Sequence, residues 1–365
     1  MKKVAFPHMG NLFVIAKALF EELGFEVVIP PYNNKSALEI GKRLSPECIC
    51  LPFKLNMGNF IQAIEMGADT IVIFGGCGPC RFGYYGALEK EIIKDLGYDV
   101  EMIVIEPLFY GLRNFLEQVS KIFARKNIAS VLKRVYRLAK KVDGIEKKVH
   151  FLRPREMVKG SVDKIYERFR KEALKVCGID QMERLVDTTN VLLDNLYIVN
   201  EKVRKIGIVG EIYTIIDSFS SLNIEKILGE MGCEVERNLY ISQWIDTHLI
   251  YPIFKRKDPI VKRYSKGIMP ALIGGHARET ISYAKYFAAQ KYDGILHIFP
   301  LTCMPEIIAK SVLNGIKNQI NIPILHVVVD EVDSDVGIKT HLEAFLDLIE
   351  ARSDNVEQSR LFSWD

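Results

Sequence analysis

At 365 residues, with 48% hydrophobic and 26% charged side chains, the chain has room for two or three folded domains and too much apolar material for disorder to dominate. Its net charge of +3 is too small to point to nucleic acid or a membrane surface. Seven cysteines without a secretory leader exclude a disulfide framework, because the cytoplasm, the expected location, keeps thiols reduced.

The opening MKKVAFPHMGNLFVIAKALFEELGF has a basic pair, but Pro7, Lys17, Glu21 and Glu22 interrupt any leader-like apolar run, so it reads as a first strand and helix. Short apolar runs alternate with helical periodicity to about residue 110. KKVAFP, FEVVIP, DTIVIFG and YDVEMIVIE read as strands; NLFVIAKALFEELG, stopped by Gly24, LNMGNFIQAIEMG and YYGALEKEIIKDLG read as helices. From 111 to 204 long basic helices take over, and residues 121–175 carry eighteen Lys and Arg against six Asp and Glu. KIGIVG reopens the α/β pattern. Helix NIEKILGEMG, strand CEVERN, a helix through ETISYAKYFAAQ, strand DGILHIF, a helix through EIIAKSVLNGIK, strand IPILHVVVD and helix HLEAFLDLIEAR follow.

The expected fold is therefore α/β, with two doubly wound (Rossmann- or flavodoxin-like) lobes at 1–110 and 205–352, a basic helical insert at 111–204 and a polar tail at 353–365. No run approaches the roughly 20 apolar residues that span a bilayer, so no membrane segment is expected. The lobes read as divergent copies. Val4 corresponds to Ile206, Glu26 to Glu234, Ile71 to Ile295 and Ile103 to Ile324, at offsets of 202, 208, 224 and 221 residues. This alignment puts GGCGPC and PLTCMP just beyond the third strand of each copy, at the edge where open parallel sheets bind ligands.

Five cysteines, Cys48, Cys50, Cys77, Cys80 and Cys303, lie in short segments punctuated by Gly and Pro; Cys177 and Cys233 lack that setting and read as small core residues. In GGCGPCRFGYYG, Gly75, Gly76, Gly78 and Pro79 allow a tight turn whose N–H groups can face cluster sulfurs, and the C-x-x-C spacing lets two thiolates reach one site. The same spacing serves zinc and dithiol exchange. Zinc prefers a second C-x-x-C or a Cys/His pair, whereas this chain offers C-x-C at Cys48 and Cys50 and a lone Cys303. A dithiol has only the helical pattern after Cys80 in its favour. An iron–sulfur cluster suits the set best.

These residues resemble the 2-hydroxyacyl-CoA dehydratase components and their activase-related relatives, which include double-cubane iron–sulfur proteins. The matching stretches are CLPFKLNMGNFIQAIEMGADTIVIFGGCGPCRFGYY, VGEIY, GGHARETI, and LTCMPEIIAKSVL running on to IPILHVVVDE and HLEAFLDL. The resemblance implies a cubane in the cleft between the lobes, bound by one cysteine from each of three strand-end loops: Cys50, then Cys77 or Cys80, then Cys303, with Cys48 a further candidate. Three protein ligands leave one iron open to substrate, water or sulfide; four make a closed electron carrier. A single [4Fe–4S] cluster is expected over a double cubane, which by the family's logic needs about six thiolates where five lie at the cluster edge, unless a second chain in a homo- or heterodimer contributes.

The resemblance also implies a partner ATPase of the actin-like class that injects a low-potential electron, for dehydration or reduction of a small substrate such as an acyl-CoA. The chain has no G-x-x-x-x-G-K-[ST] loop and no actin-like phosphate-binding turn, so it is not expected to hydrolyse ATP itself. Rival readings are a non-catalytic electron carrier or cluster-handling protein, and a zinc-stabilised small-molecule binding protein.

Lys54 can bring charge to a nearby anion or sulfide, or sit solvated at a helix start. Glu211 can approach an open iron or substrate, or cap a helix. His276, beside two glycines at a helix start, can bind an anionic group or simply pack. His297 and His326 read as core histidines, and Asp330 and Glu331 as a solvated strand end. The basic insert reads as a docking surface for an acidic partner or CoA phosphates, or as a solvated helix face; no nucleic-acid module is present.

Overall fold

The computed structural model describes residues 1–76, 80–106, 128–199, 201–251, 258–269, 273–331 and 335–361. All eight apolar runs form strands in parallel ladders. β1 (Lys3–Ala5), β2 (Glu26–Val27), β3 (Thr70–Phe74) and β4 (Glu101–Ile105) make one sheet, ordered β2-β1-β3-β4. β5 (Arg204–Gly210), β6 (Cys233–Arg237), β7 (Gly294–Pro300) and β8 (Ile324–Val329) make a second, ordered β6-β5-β7-β8. In both, strand order reverses at the first strand, where parallel sheets open a crevice at their carboxyl ends.

The registers match as well as the orders. Val4 lies opposite Val27 and Thr70, and Ile206 opposite Val235 and Gly294, the partners that offsets of 202, 208 and 224 require. The fourth strand departs by one residue: Ile71 faces Met102, but Ile295 faces Ile324, so Ile324 is the counterpart of Met102 and not of Ile103.

Around the first sheet run α1 (Leu12–Glu22), α2 (Lys35–Leu44), α3 (Leu51–Glu65) and α4 (Phe82–Asp95). Sequence reading overlooks α2 because KSALEIGKRL is polar. Its start is set by Asn34, whose side chain accepts from the Ala37 N–H at 3.0 Å, the usual Asn N-cap. Its docking on α3 depends on two reciprocal glycines. A Cβ on Gly41 would lie 1.7 Å from the Lys54 carbonyl oxygen, and one on Gly58 2.0 Å from that of Ala37, so only glycine allows these backbones to touch.

The insert contains α5 (Ile128–Leu152), α6 (Ser161–Ala173) and α7 (Gly178–Asp194). Val135, Leu138, Val142, Ile145, Val149 and Leu152 repeat at alternating spacings of three and four and are buried, forming one apolar stripe of α5. The flanking charge pairs along a parallel neighbour. Arg134 meets Asp180, Arg137 meets Glu183 at 3.3 Å, Lys141 meets Asp187 at 2.9 Å and Lys148 meets Asp194 at 2.8 Å, each partner 46 residues ahead. Part of the basic face is thus zipped to α7, neither free for docking nor simply solvated.

The second sheet is wrapped by α8 (Ile212–Ile216), α9 (Ile224–Glu230), α10 (Ile241–Ile245) leading into a π turn at Asp246–Ile250, α11 (Pro259–Tyr264), α12 (Ala277–Ala289), α13 (Met304–Gly315), α14 (Lys317–Ile320) and α15 (Asp335–Leu361). Cys233 is buried as the core reading requires, but Cys177 is exposed: it lies in the turn that opens α7, where nothing packs over it. No described helix is long and apolar enough to cross a membrane.

Candidate functional site

Cys50, Cys80 and Cys303 share one local design, in which each stands at the start of a long helix. Cys50 is the N-cap of α3, Cys303 the N-cap of α13, and Cys80 lies just ahead of Arg81, the N-cap of α4. In the first two, proline follows two residues later (Pro52, Pro305), in the first turn where its missing N–H costs nothing. The repeated C-x-P is a sequence signal that the lobe alignment did not use. Helix N-termini favour negative charge, which offsets part of the cost of burying thiolates there.

The backbone of Cys48 ties the three segments. Its carbonyl oxygen accepts from Arg81 Nη1, next to Cys80, and from Thr302 Oγ1 at 3.3 Å, next to Cys303, while Cys50 is two residues along its own chain. Thr302 is held at φ 69°, a left-handed conformation that a β-branched residue adopts only when its surroundings impose it. A second bridge runs from Cys80 to Gly275. A Cβ on Gly275 would come within 3.8 Å of Cys80 Sγ and 2.8 Å of Pro305, so a loop of the second sheet closes directly on Cys80.

Burial dominates the electrostatics. It raises the Cys50 thiol, with the Tyr85 hydroxyl pulling the other way, and pushes Cys80 up to about 11, with the Phe82 N–H opposing and the charges of Glu211, Cys50 and Glu306 reinforcing it. Cys303 is raised furthest, by burial and then by Glu306, Glu211 and Cys80. Cys80 therefore feels Cys50, and Cys303 feels Cys80. Cys77 lies outside the described residues. Among the described residues no three His, Cys, Asp or Glu side chains form a group able to hold a single metal ion.

Glu211 is the N-cap of α8: its carboxylate accepts from the Tyr213 and Thr214 N–H groups at 3.0 and 2.9 Å and from Thr214 Oγ1 at 2.8 Å. The capping role holds, and the same carboxylate bears on all three thiols; burial raises its own pKa. Lys54 is buried and ion-paired with Glu331 beyond β8, and also reaches the Glu47 carbonyl at 3.4 Å. Glu331 is thus a partner across the two sheets, and Asp330 Oδ1 accepts its N–H at 2.7 Å. His276 opens α12 without capping it and stands edge-on to His248 at 5.5 Å, which stacks on Trp244, itself against Phe74 at the end of β3.

Two participants escape sequence reasoning. Tyr85, on α4, places its hydroxyl on Cys50 Sγ. Glu306, three residues beyond Cys303, is fully buried; its Oε2 meets His297 Nε2 and Thr280 Oγ1, both at 2.9 Å, and Oε1 has no hydrogen-bond partner among the described residues. Burial lifts its pKa to about 8. His297 continues to His326 at 2.9 Å, and His326 to Asn314 at 3.3 Å. These histidines lie in strands as expected, but they join a polar string that ends behind the Cys303 turn.

The fold and this junction define an α/β protein whose cysteine-bearing helix starts meet between two parallel sheets. Residues 7–74 match the family described as CoA enzyme activase uncharacterised domain. The match fits the activase-related side of the resemblance; it contains Cys48, Cys50 and Lys54 and ends at the last residue of β3, before Cys80 and Cys303. No curated protein matches the chain.

Proposed function

We propose that the chain is an iron–sulfur protein whose [4Fe–4S] cluster is held by Cys50, Cys303 and Cys80, or Cys77 in its place, in a cleft between two doubly wound lobes at 1–110 and 205–352, with the helical segment 111–204 and the tail 353–365 outside the site. The observation that carries this reading is the Cys48 carbonyl, which pins the Cys80 and Cys303 turns beside Cys50. The donor set suits a cluster: soft thiolates at helix N-termini, where burial raises the pKa of Cys50, Cys80 and Cys303 and so favours a metal-bound over a free thiolate.

When bound, the cluster supplies low-potential one-electron chemistry. The chain's own residues shape its surroundings. Glu211 holds a carboxylate beside the thiols, the Lys54–Glu331 pair ties α3 to the end of β8, and Glu306 keeps a proton behind the Cys303 turn. In this reading the electron comes from an actin-like ATPase related to the CoA enzyme activases, and the substrate of the dehydration or reduction is a small molecule such as an acyl-CoA.

Iron and acid-labile sulfide measured on anaerobically purified chain test the reading. The expected result is roughly four of each per chain. Cys50→Ala and Cys303→Ala should lose them, and Cys177→Ala, at an exposed thiol far along the chain, should not. Stoichiometric zinc in place of iron would sink the proposal.

A further inference from the structure

We infer that Tyr85 is a positioning residue that fixes the Cys50 sulfur and donates a hydrogen bond to it, and thereby sets how readily the iron centre that Cys50 holds accepts an electron. This rests on the cluster reading above.

Tyr85 is 2% exposed, and among the described residues the Cys50 sulfur is the hydrogen-bond partner of its hydroxyl. Its ring stands edge-on between Phe53, at 5.0 Å and 83°, and Phe82, at 5.3 Å and 65°. Phe53 lies in the first turn of α3, three residues after Cys50, and Phe82 opens α4, two residues after Cys80. The ring, carried by α4, is therefore packed between the first residue of its own helix and the first turn of α3, and this packing aims its single polar atom at the sulfur that opens α3. Such edge-to-face pairing is favourable beyond the area it buries, which helps keep the ring from swinging away.

The direction of donation follows from chemistry. A thiolate bound to iron has no proton to give, so the phenol is the donor. A phenol with its ordinary pKa of about 10 keeps its proton at neutral pH. Reducing a cluster adds one electron and one negative charge, which its sulfurs share. The O–H···S bond then strengthens, because charge-assisted bonds are roughly twice as strong as neutral ones. Hydrogen bonds to the sulfurs are one lever on cluster potential. Tyr85 therefore favours the reduced state.

Tyr85→Phe tests this, because the retained ring still fills the space between Phe53 and Phe82. The reconstituted variant is expected to bind as much iron as the wild type but to have a more negative potential. The expected shift is about tenfold in the reduction equilibrium, which for one electron is about 59 mV. Equal iron with an unchanged potential would overturn the inference. A second measurement needs no cluster: in the metal-free chain, iodoacetamide labelling of Cys50 at one fixed pH, followed by peptide mapping, should be faster in the variant, since the hydroxyl no longer holds the sulfur in place. Identical rates would overturn the Tyr85–Cys50 contact. If wild-type chain takes up no iron while the rates differ, the cluster reading fails and the contact stands.

Discussion

Where α5 meets the second sheet, Arg237 is buried between two carboxylates. It pairs with Glu146 and, at 3.2 Å, with Glu225, while Glu225 also meets His150 at 3.1 Å and Glu146 accepts from Asn11 at 2.6 Å. Burial opposes ionisation of Glu225, but Arg237, His150 and Arg153 hold its pKa down to about 2. Where the cysteine turns meet, the balance is reversed. Glu211 and Glu306 are buried and shifted upward with the thiols; Lys54 is paired with Glu331, and Arg81 donates to the Cys48 carbonyl. One junction is complete in its own charges and serves stability. The other is rich in latent anions, the environment in which an iron centre gains most from thiolate and carboxylate neighbours.

The sharpest way to break the comparison is to remove the cation of the first junction. Arg237→Ala leaves Glu146 and Glu225 buried without it, and should cost about 3–5 kcal/mol in a denaturant titration. Iron content in the fraction that stays folded is expected to match wild type, since Arg237 touches none of the cysteine segments.

Next in size are two opposed pH slopes in the metal-free chain. The folded pKa of Glu225 lies below its ordinary 4.5, so its contribution is fully present above about 4.5 and is lost as pH falls towards 2. The folded pKa of Glu306 lies above 4.5, so the unfolded state ionises first and stability falls as pH rises from about 4.5 to about 8. The limbs should amount to no more than about 3 kcal/mol for Glu225 and about 5 kcal/mol for Glu306. Thermal melts across pH should show Glu225→Gln flattening the acid limb and Glu306→Gln the alkaline one; unchanged limbs would refute the contrast.

A smaller effect is expected at Thr302. Thr302→Gly relieves left-handed strain of about 1 kcal/mol but removes the hydroxyl bonded to Cys48, so the melting temperature should change little while iron is retained less well against a chelator. The smallest effect is at the charge zipper. Lys141→Ala should cost no more than about 0.5 kcal/mol by chemical denaturation, because Asp187 is largely exposed and the pair is screened by water.

Much of this was legible in the sequence. Strands alternate or run apolar over a few residues, and each of the eight was visible from local pattern; β2 was foreseen longer than its two paired residues, Glu26 and Val27. The three gathered cysteines were also marked by Gly and Pro punctuation. Tyr85 and Glu306 were not, because a tyrosine or glutamate at helical spacing reads as packing or solvation until its tertiary neighbours are known. The zipper between α5 and α7 was hidden for the same reason, since its partners lie 46 residues apart and an intervening helix must turn the chain twice.

By itself the sequence determined the α/β class, the eight strands in chain order and the helix starts at which the thiols stand, because these depend on periods of two and 3.6 residues and on local capping. The tertiary structure alone decided that the Cys48 carbonyl joins Arg81 to Thr302, that Lys54 faces Glu331 277 residues away, and that Tyr85 reaches Cys50. Those contacts depend on tertiary packing, around the first sheet for Arg81 and Tyr85 and between elements of the two sheets for Thr302 and Glu331, and helix and strand periodicity carries no information about which distant side chains such packing brings within hydrogen-bond reach.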